Sequence, residues 1–356
     1  MPLHVRTTKT TAPQAKTPEN ELGFGKHFSD HMLLCDYEAG TGWHDARVVP
    51  YAPLSLDPAA GVLHYGQAMF EGLKAFRQPD GSVSIFRAEA HGRRMERGAE
   101  RLCMPGLPPE DFIAAMKAFV SVERDWVPSL PGTSLYLRPT LVATEPFLGV
   151  RPSNRYLFFV IASPVGSYYG GDSLKPVRIW VEREYVRAPR GGLGSTKAGA
   201  NYVASLYAAT KAKKAGYDQV LWLDGREHAF VEEVGTMNLF VIIGQTLITP
   251  ALGDSILAGV TRESILTLAT DLGLKAEERS ISVAELFEAK KNGSLREIFG
   301  SGTAAVVSPV GELAFGDERL VVHDGTPGEV ARQLFDEISG IQQGKRPDRH
   351  RWLEPV

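Results

Sequence analysis

The chain has 356 residues, 43% of them hydrophobic, and a formal net charge of -3. That length supports two ordinary domains with substantial cores, and the apolar content excludes a disordered chain. With a pI of about 6.3 there is no basic excess for nucleic acid or an acidic membrane surface, which leaves small molecules as the expected partners.

Met1 to Asn20 carries Thr7, Thr8, Thr10 and Thr11 with Arg6, Lys9 and Lys16 but no apolar face, and reads as a mobile tail rather than a transit peptide. From 21 to 170 short strands mix with helices, an α+β pattern expected to form a small domain. Asp30 to Tyr37 and Trp43 to Pro50 read as strands around an Ala39-Gly-Thr-Gly42 turn, and Gly72 to Phe76 with Val83 to Phe86 as a hairpin across Pro79-Asp80-Gly81. Ala88 to Met104 reads as a helix ended by Pro105, with Arg93, Arg94, Arg97 and Arg101 expected at the surface. Pro109 to Trp126 reads as a second helix with Phe112, Met116, Phe119 and Val120 on one face. Leu135 to Val142 and Tyr156 to Ala162 are β-rich runs joined by the proline-bounded loop Glu145 to Asn154.

Glycines cluster at Tyr169-Gly-Gly-Asp172-Ser173, so 171–185 is expected to hold an interdomain linker and the first strand, Val177 to Val181, of a large domain over 186–356. There a helix from Ala200 to Ala215 precedes an antiparallel meander of Gln219 to Leu223, Ala229 to Glu233, Leu239 to Ile243 and Thr246 to Thr249. Val260 to Leu272, Val283 to Lys291 and Glu329 to Ile341 read as helices, and Arg296 to Phe299 and Ala304 to Val310 as strands. The only cysteines, Cys35 and Cys103, are too few for a disulfide framework or a cysteine zinc site, so no metal and a reducing, cytoplasmic setting are expected. No run approaches the roughly 18 apolar residues of a membrane span.

The chemistry concentrates in Arg190-Gly-Gly-Leu-Gly-Ser-Thr-Lys197-Ala-Gly-Ala-Asn201-Tyr202. Lys197 follows a glycine-rich approach and precedes a helix, a setting where an amine can form a Schiff base once desolvation or a cationic neighbour activates it. The glycine run is neither a P-loop, which needs Gly-Lys followed by Ser or Thr, nor a dinucleotide fingerprint, because Pro189 and Arg190 break the strand that would feed it. A lysine, a phenol (Tyr202) and a carboxylate (Glu233) together suit the aldehyde, ring oxygen and pyridine nitrogen of pyridoxal 5'-phosphate. Of Glu232 and Glu233, strand alternation turns only one inward, and a buried carboxylate needs a positive partner.

The words Lys197 to Tyr202, Glu233-Val-Gly-Thr236-Met-Asn238-Leu-Phe240, His64-Tyr65-Gly-Gln-Ala-Met-Phe70-Glu-Gly-Leu-Lys-Ala-Phe76, Phe86-Arg87, Leu135-Tyr136-Leu-Arg138-Pro139, Gly259-Val260-Thr261-Arg262 and Phe299-Gly-Ser-Gly302-Thr303-Ala304 resemble, in order, the branched-chain amino acid aminotransferases. The resemblance runs from about Phe24 to about Val310. It implies a two-domain α+β fold of type IV, a small α/β domain plus a larger one of mainly antiparallel sheet or barrel with helices. It also implies pyridoxal-phosphate-dependent transfer of amino groups between L-leucine, L-isoleucine or L-valine and 2-oxoglutarate. Lys197 is then the catalytic lysine, Glu233 the inward glutamate and Tyr202 the ring-oxygen partner, while Arg87, Val260, Thr261 and Thr303 hold the phosphate. Phe24, Tyr65, Phe70, Tyr136, Arg138, Leu148, Val150, Tyr168, Thr236, Thr303 and Ala304 are implied at the substrate, with the Leu148-Gly149-Val150 loop reaching into the partner's pocket of a homodimer. Where animal members carry a Cys-X-X-Cys pair this chain has Ala305 and Ser308, which excludes thiol regulation there. The competing readings are a D-amino acid aminotransferase or aminodeoxychorismate lyase of the same fold, and a cofactor-carrying binding protein without turnover.

Overall fold

Apolar runs with period two and helices with one apolar face give two β-rich units. The computed structural model describes residues 3–166 and 174–356; Tyr168 and the expected linker Tyr169 to Ser173 lie outside the described residues. One unit comprises Met1–Gly170, Thr196–Gly199 and Gly340–Val356, and the other Gly171–Ser195 and Ala200–Ser339.

In chain order the first unit carries β1 (Arg6–Thr7), β2 (His31–Glu38), β3 (Gly42–Pro50), α1 (Gly61–Tyr65), β4 (Ala68–Phe70), β5 (Leu73–Arg77), β6 (Val83–Phe86), α2 (Ala88–Arg101), α3 (Pro109–Val122), β7 (Ser134–Ala143) and β8 (Arg155–Val165). The second carries β9 (Val177–Val181), α4 (Gly199–Lys214), β10 (Gln219–Leu223), β11 (Val231–Val234), β12 (Met237–Ile243), β13 (Thr246–Thr249), α5 (Val260–Asp271), β14 (Lys275–Glu278), α6 (Val283–Lys291), β15 (Leu295–Gly302), β16 (Val306–Phe315) and β17 (Glu318–Val321). Helix α7 (Glu329–Gln342) runs through the boundary at Ser339, and β18 (Leu353–Pro355) ends the chain in the first unit.

The sheet of the first unit runs β1-β3-β2-β8-β7-β5-β6-β18, with β4 also paired to β7. Its core joins Leu33, Leu73, Leu135 and Phe158 of the sheet to Met95 and Ala99 of α2 and Phe112, Met116 and Phe119 of α3. Each such large side chain contributes about 1.5–3 kcal/mol relative to exposure. Helix α2 ends earlier than expected, because Cys103 takes a left-handed φ of 54° two residues before Pro105. The last turn expected of α3 is instead a separate 3-10 turn at Arg124–Trp126.

Two expectations are corrected here. The residues read as a mobile tail are tied down: β1 pairs parallel to β3, Leu3 N–H donates to Asp111 Oδ1 at 3.0 Å and Thr10 N–H to His31 Nε2 at 2.9 Å. An edge strand offers unpaired N–H and C=O groups to any extended segment, whether or not that segment has apolar periodicity. Arg94 is not at the surface but buried, its guanidinium forked onto Glu71 through Nε–Oε1 and Nη2–Oε2, both 2.7 Å.

In the second unit the order β11-β10-β9-β16-β15-β12-β13-β14 is joined by a β11–β12 pairing, which closes six strands into a barrel, while β17 adds to β16. Closure removes the edges of those six strands, while β14 and β17 remain at the ends of the sheet. The expected antiparallel meander is present in β10 to β13, and the barrel also includes parallel pairs of β9 with β10 and with β16.

Candidate active site

In the first unit, β4 and β7 bring part of the expected site together. The Lys197 segment lies along β4, with Phe70 N–H donating to Lys197 O at 3.1 Å and a bridge between Met69 and Ala198. Lys197 Nζ stands 4.9 Å from the Phe70 ring centroid, and Arg138 Cζ is 4.6 Å from the same ring. Arg138 Nη2 donates to Tyr136 OH at 3.0 Å, and the Tyr136 ring meets Phe24 edge-on at 5.1 Å. Phe24, Phe70, Tyr136, Arg138 and Lys197 are therefore one cluster, aromatic beneath and cationic above. Arg138 Nε is buried without a hydrogen-bond partner among the described residues, and a donor in that state favours an incoming carboxylate.

The backbone beneath Tyr136 has to be bare. A methyl group on Gly72 would overlap the Tyr136 hydroxyl. Next to it, Glu71 accepts from Gly72 N–H at 3.2 Å and meets His91 Nδ1 at 2.8 Å, besides the fork of Arg94. Burial pushes the Glu71 carboxyl upward, but the Arg94 charge and the hydrogen bonds from Arg94 and His91 outweigh it and hold the group well below the usual carboxylate range. Lys74, opposite Tyr136 in the β5–β7 register, is pushed down to about 8 by burial.

Arg87 takes a left-handed φ of 57° as the residue before α2, and its N–H donates to Trp352 O at 2.7 Å. Its guanidinium lies 5.0 Å from the Trp352 ring, which the unforeseen strand β18 delivers by pairing Leu353 with Phe86. Tyr65, Leu148 and Val150 gather elsewhere in the unit. They are exposed (48%, 61% and 85%), the Tyr65 hydroxyl donates to Leu148 O, and Tyr65 and Val150 line a cavity of about 390 Å³ with Phe147 and Arg151. The resemblance implied an apolar pocket of Phe24, Tyr65, Phe70, Leu148 and Val150, with the Leu148-Gly149-Val150 loop reaching into the partner's pocket. Within this unit Tyr65, Leu148 and Val150 form a separate, exposed surface.

The second unit holds the other expected residues. A cleft is lined by Arg187, Asn201, Tyr202, Ser205, Glu233, Gly235, Thr236, Asn238 and Leu257. Glu233 is 3% exposed; its Oε1 accepts Leu257 N–H at 2.7 Å, and Arg187 Nε lies 3.1 Å from Oε2, off the N–H axis and so an ion pair rather than an aligned hydrogen bond. Arg187 Nη2 also donates to Gly194 O at 3.1 Å and to Ser255 O. Glu232, expected to face outward, is also buried, at 8%. Alternation does separate the two side chains, but both sides of β11 are covered. Burial pushes Glu232 upward, against the hydrogen bond it accepts from Ser255 Oγ.

Val260 and Thr261 open α5, whose N-terminus has Gly259 before it and no side-chain cap; such an end attracts anions. Thr303 and Ala304 lie in the turn between β15 and β16, followed by Val306 at φ 62°. For a β-branched residue that conformation is an outlier, held only where the surroundings impose it. Among the described residues no cluster of His, Cys, Asp or Glu could hold a metal, and no helix is long and apolar enough to cross a membrane. Sequence reasoning never singled out Arg187 or the Glu71–His91–Arg94 group. The demand that a buried Glu233 have a cationic partner was the available signal for Arg187.

The profile of the family described as amino-transferase class IV matches residues 68–313. A "probable branched-chain-amino-acid aminotransferase" of Staphylococcus epidermidis is 51% identical, covering 99% of this chain and 98% of the relative. "Branched-chain-amino-acid transaminase 1" of Bacillus subtilis is 50% identical, covering 99% of both. The crystal structure of the Escherichia coli branched-chain amino acid aminotransferase superposes with a TM-score of 0.76 at 26% identity, over 91% of this chain and 98% of that one. A T.th. branched-chain amino acid aminotransferase solved with pyridoxamine 5'-phosphate does so at 0.74 and 29%, over 90% and 97%.

Proposed function

The chain belongs to the amino-transferase class IV family, and from that premise we propose that it is a pyridoxal 5'-phosphate-dependent transaminase exchanging amino groups between L-leucine, L-isoleucine or L-valine and 2-oxoglutarate. The observation that carries this reading is the cluster of Lys197, Phe70, Tyr136, Arg138 and Phe24, an amine and a guanidinium with an unsatisfied donor over apolar rings. The names of the relatives at about 50% identity support the substrate class.

The residues fit the cofactor. The buried Glu233 carboxylate suits a protonated pyridine nitrogen, Tyr202 shares its cleft, and the uncapped start of α5 suits a phosphate. When bound, pyridoxal phosphate supplies an aldehyde for the amino group and a ring that withdraws electrons. Lys197 Nζ takes the proton from the substrate Cα and later returns one, a task that needs a positioned amine; the Lys197 main chain is fixed to β4 and its Nζ stands over the Phe70 ring. Arg138 orients the substrate carboxylates, and the Phe24 and Phe70 rings exclude water from the apolar side chain. Arg87, Val260, Thr261, Thr303 and Ala304 are assigned to phosphate and substrate contacts.

The test is kcat/KM for L-leucine, L-isoleucine, L-valine, L-alanine and D-alanine with 2-oxoglutarate as acceptor. Each methylene is worth roughly 0.8 kcal/mol, so the three branched substrates should lie close together and L-alanine well below them; D-alanine equal to L-leucine would overturn the reading. Arg138→Ala should lower kcat/KM for 2-oxoglutarate by roughly 10- to 100-fold, the worth of a hydrogen bond to a charged group. Unchanged use of the acceptor would remove the role of that arginine.

The reading extends to a homodimer in the cytoplasm. The exposed Tyr65, Phe147, Leu148 and Val150 form an apolar surface suited to a second subunit, and Cys35 and Cys103 are free thiols, in keeping with a reducing compartment. Light scattering should give twice the chain mass, and Val150→Asp should shift the equilibrium toward monomer with loss of turnover. A wild-type monomer with full activity counts against the dimer.

A further inference from the structure

Among the members of the second-unit cleft that have no assigned role is Asn238. It stands directly opposite Glu233 in the β11–β12 register, and it is 6% exposed. Both side chains reach the same residue of a different segment: Glu233 Oε1 accepts Leu257 N–H at 2.7 Å, and Asn238 Nδ2 donates to Leu257 O at 2.8 Å. Leu257 lies in the irregular stretch between β13 and α5, two residues before Gly259, the residue that precedes the uncapped helix. Asn238 also packs against that glycine, where a methyl group would overlap its amide oxygen. The rest of the stretch is attached at other residues: Ser195 N–H donates to Asp254 O at 2.8 Å, Arg187 Nη2 to Ser255 O, Ser255 Oγ to Glu232, and Arg262 Nη2 to Pro250 O at 2.9 Å.

We infer that Asn238 is a positioning residue that, by gripping Leu257 together with Glu233, fixes the N-terminus of α5 relative to the Glu233 carboxylate, so that one rigid unit addresses both the ring nitrogen and the phosphate of a pyridine phosphate ester. One hydrogen bond leaves a peptide free to pivot about it; two, to the N–H and the C=O of one residue, fix its plane. Glu233 alone sets the height of the segment, and Asn238 sets its rotation. Rotation decides whether the first N–H groups of α5 point at a phosphate. The inference rests on the transaminase reading and adds to it a second-strand residue outside the set assigned to contact the cofactor.

The discriminating quantity is the phosphate advantage: the affinity of cofactor-free protein for pyridoxal 5'-phosphate divided by its affinity for pyridoxal. Asn238→Asp keeps the shape but turns an oxygen toward Leu257 O in place of a donor, so this ratio should fall by about tenfold, the worth of one buried hydrogen bond. The ³¹P resonance of the bound phosphate should shift. Gly259→Ala, which displaces the amide from the other side, should lower the ratio too, and it serves as the test should Asn238→Asp fail to fold. A side chain serving stability alone would lower the melting temperature and weaken both ligands by one factor, leaving the ratio and the ³¹P shift unmoved; that result overturns the inference and spares the function. A wild-type protein that binds neither ligand overturns both.

Discussion

Borohydride treatment of the cofactor-loaded protein should fix the cofactor on a single peptide, the one containing Lys197, and Lys197→Ala should lower turnover by about 10³-fold or more, within the range a positioned acid–base group contributes. The rival amines make this a real choice. Lys74 is pushed down to about 8 by burial, which favours its neutral amine, but at 7% exposure on β5 it offers a ligand little access. Lys211 fails in the opposite way: its hydrogen bond to Glu184 raises it further above the usual range. Lys197 is partly buried, with its backbone anchored to β4 and its ammonium over Phe70. Mass mapping of the reduced protein decides the matter, and label on Lys74, Lys211, Lys213 or Lys214 would sink the assignment.

The parts of the fold legible in the sequence are those whose signal is local. Val177–Val181, Gln219–Leu223 and Thr246–Thr249 are bounded by turn residues and rich in β-formers, and they form strands over those spans. What stayed hidden is pairing supplied from far along the chain. The strands β1 and β18 span two and three residues, and nothing local marks them; β1 exists because β3 had an open edge, and β18 because β6 did. The parallel pairs that help close the barrel are non-local in the same sense.

Charge was harder to place than apolarity. A run such as His91-Gly-Arg93-Arg94 on α2 looks like a solvated face, and Arg93 is indeed exposed with Glu89 as its partner. Arg94, one position on, is turned inward because Glu71 waits there at the end of β4. No periodicity argument sees a partner 23 positions away in the chain. Asn238 could have been found, however: a two-residue turn at Gly235-Thr236 makes Glu233 and Asn238 cross-strand neighbours by counting alone.

Glu233→Gln should cut kcat by roughly 10²- to 10³-fold while cofactor retention falls by no more than about tenfold, in line with the loss of a charge that acts mainly on the transition state. The amide oxygen can still accept Leu257 N–H, so the grip on the segment before α5 survives. What disappears is the negative charge that would keep a pyridine nitrogen protonated, and Arg187 is left without its ion-pair partner at 3.1 Å. An uncompensated guanidinium in that cleft opposes protonation of a neighbouring ring, so the effect on turnover should exceed that of a neutral substitution in empty space, and stability should fall as well. Glu232→Gln is the control built into the same strand. Burial already pushes that carboxyl toward its neutral form, and its hydrogen bond from Ser255 Oγ can be accepted by an amide oxygen. Turnover and cofactor retention should therefore stay within about threefold of wild type, below the worth of one ordinary hydrogen bond. Steady-state kinetics with L-leucine and absorbance titration of the cofactor measure both quantities on each variant. If the two variants exchanged behaviours, Glu232 would be the carboxylate that serves the ring, and the role given to the Arg187–Glu233 pair would fall with it.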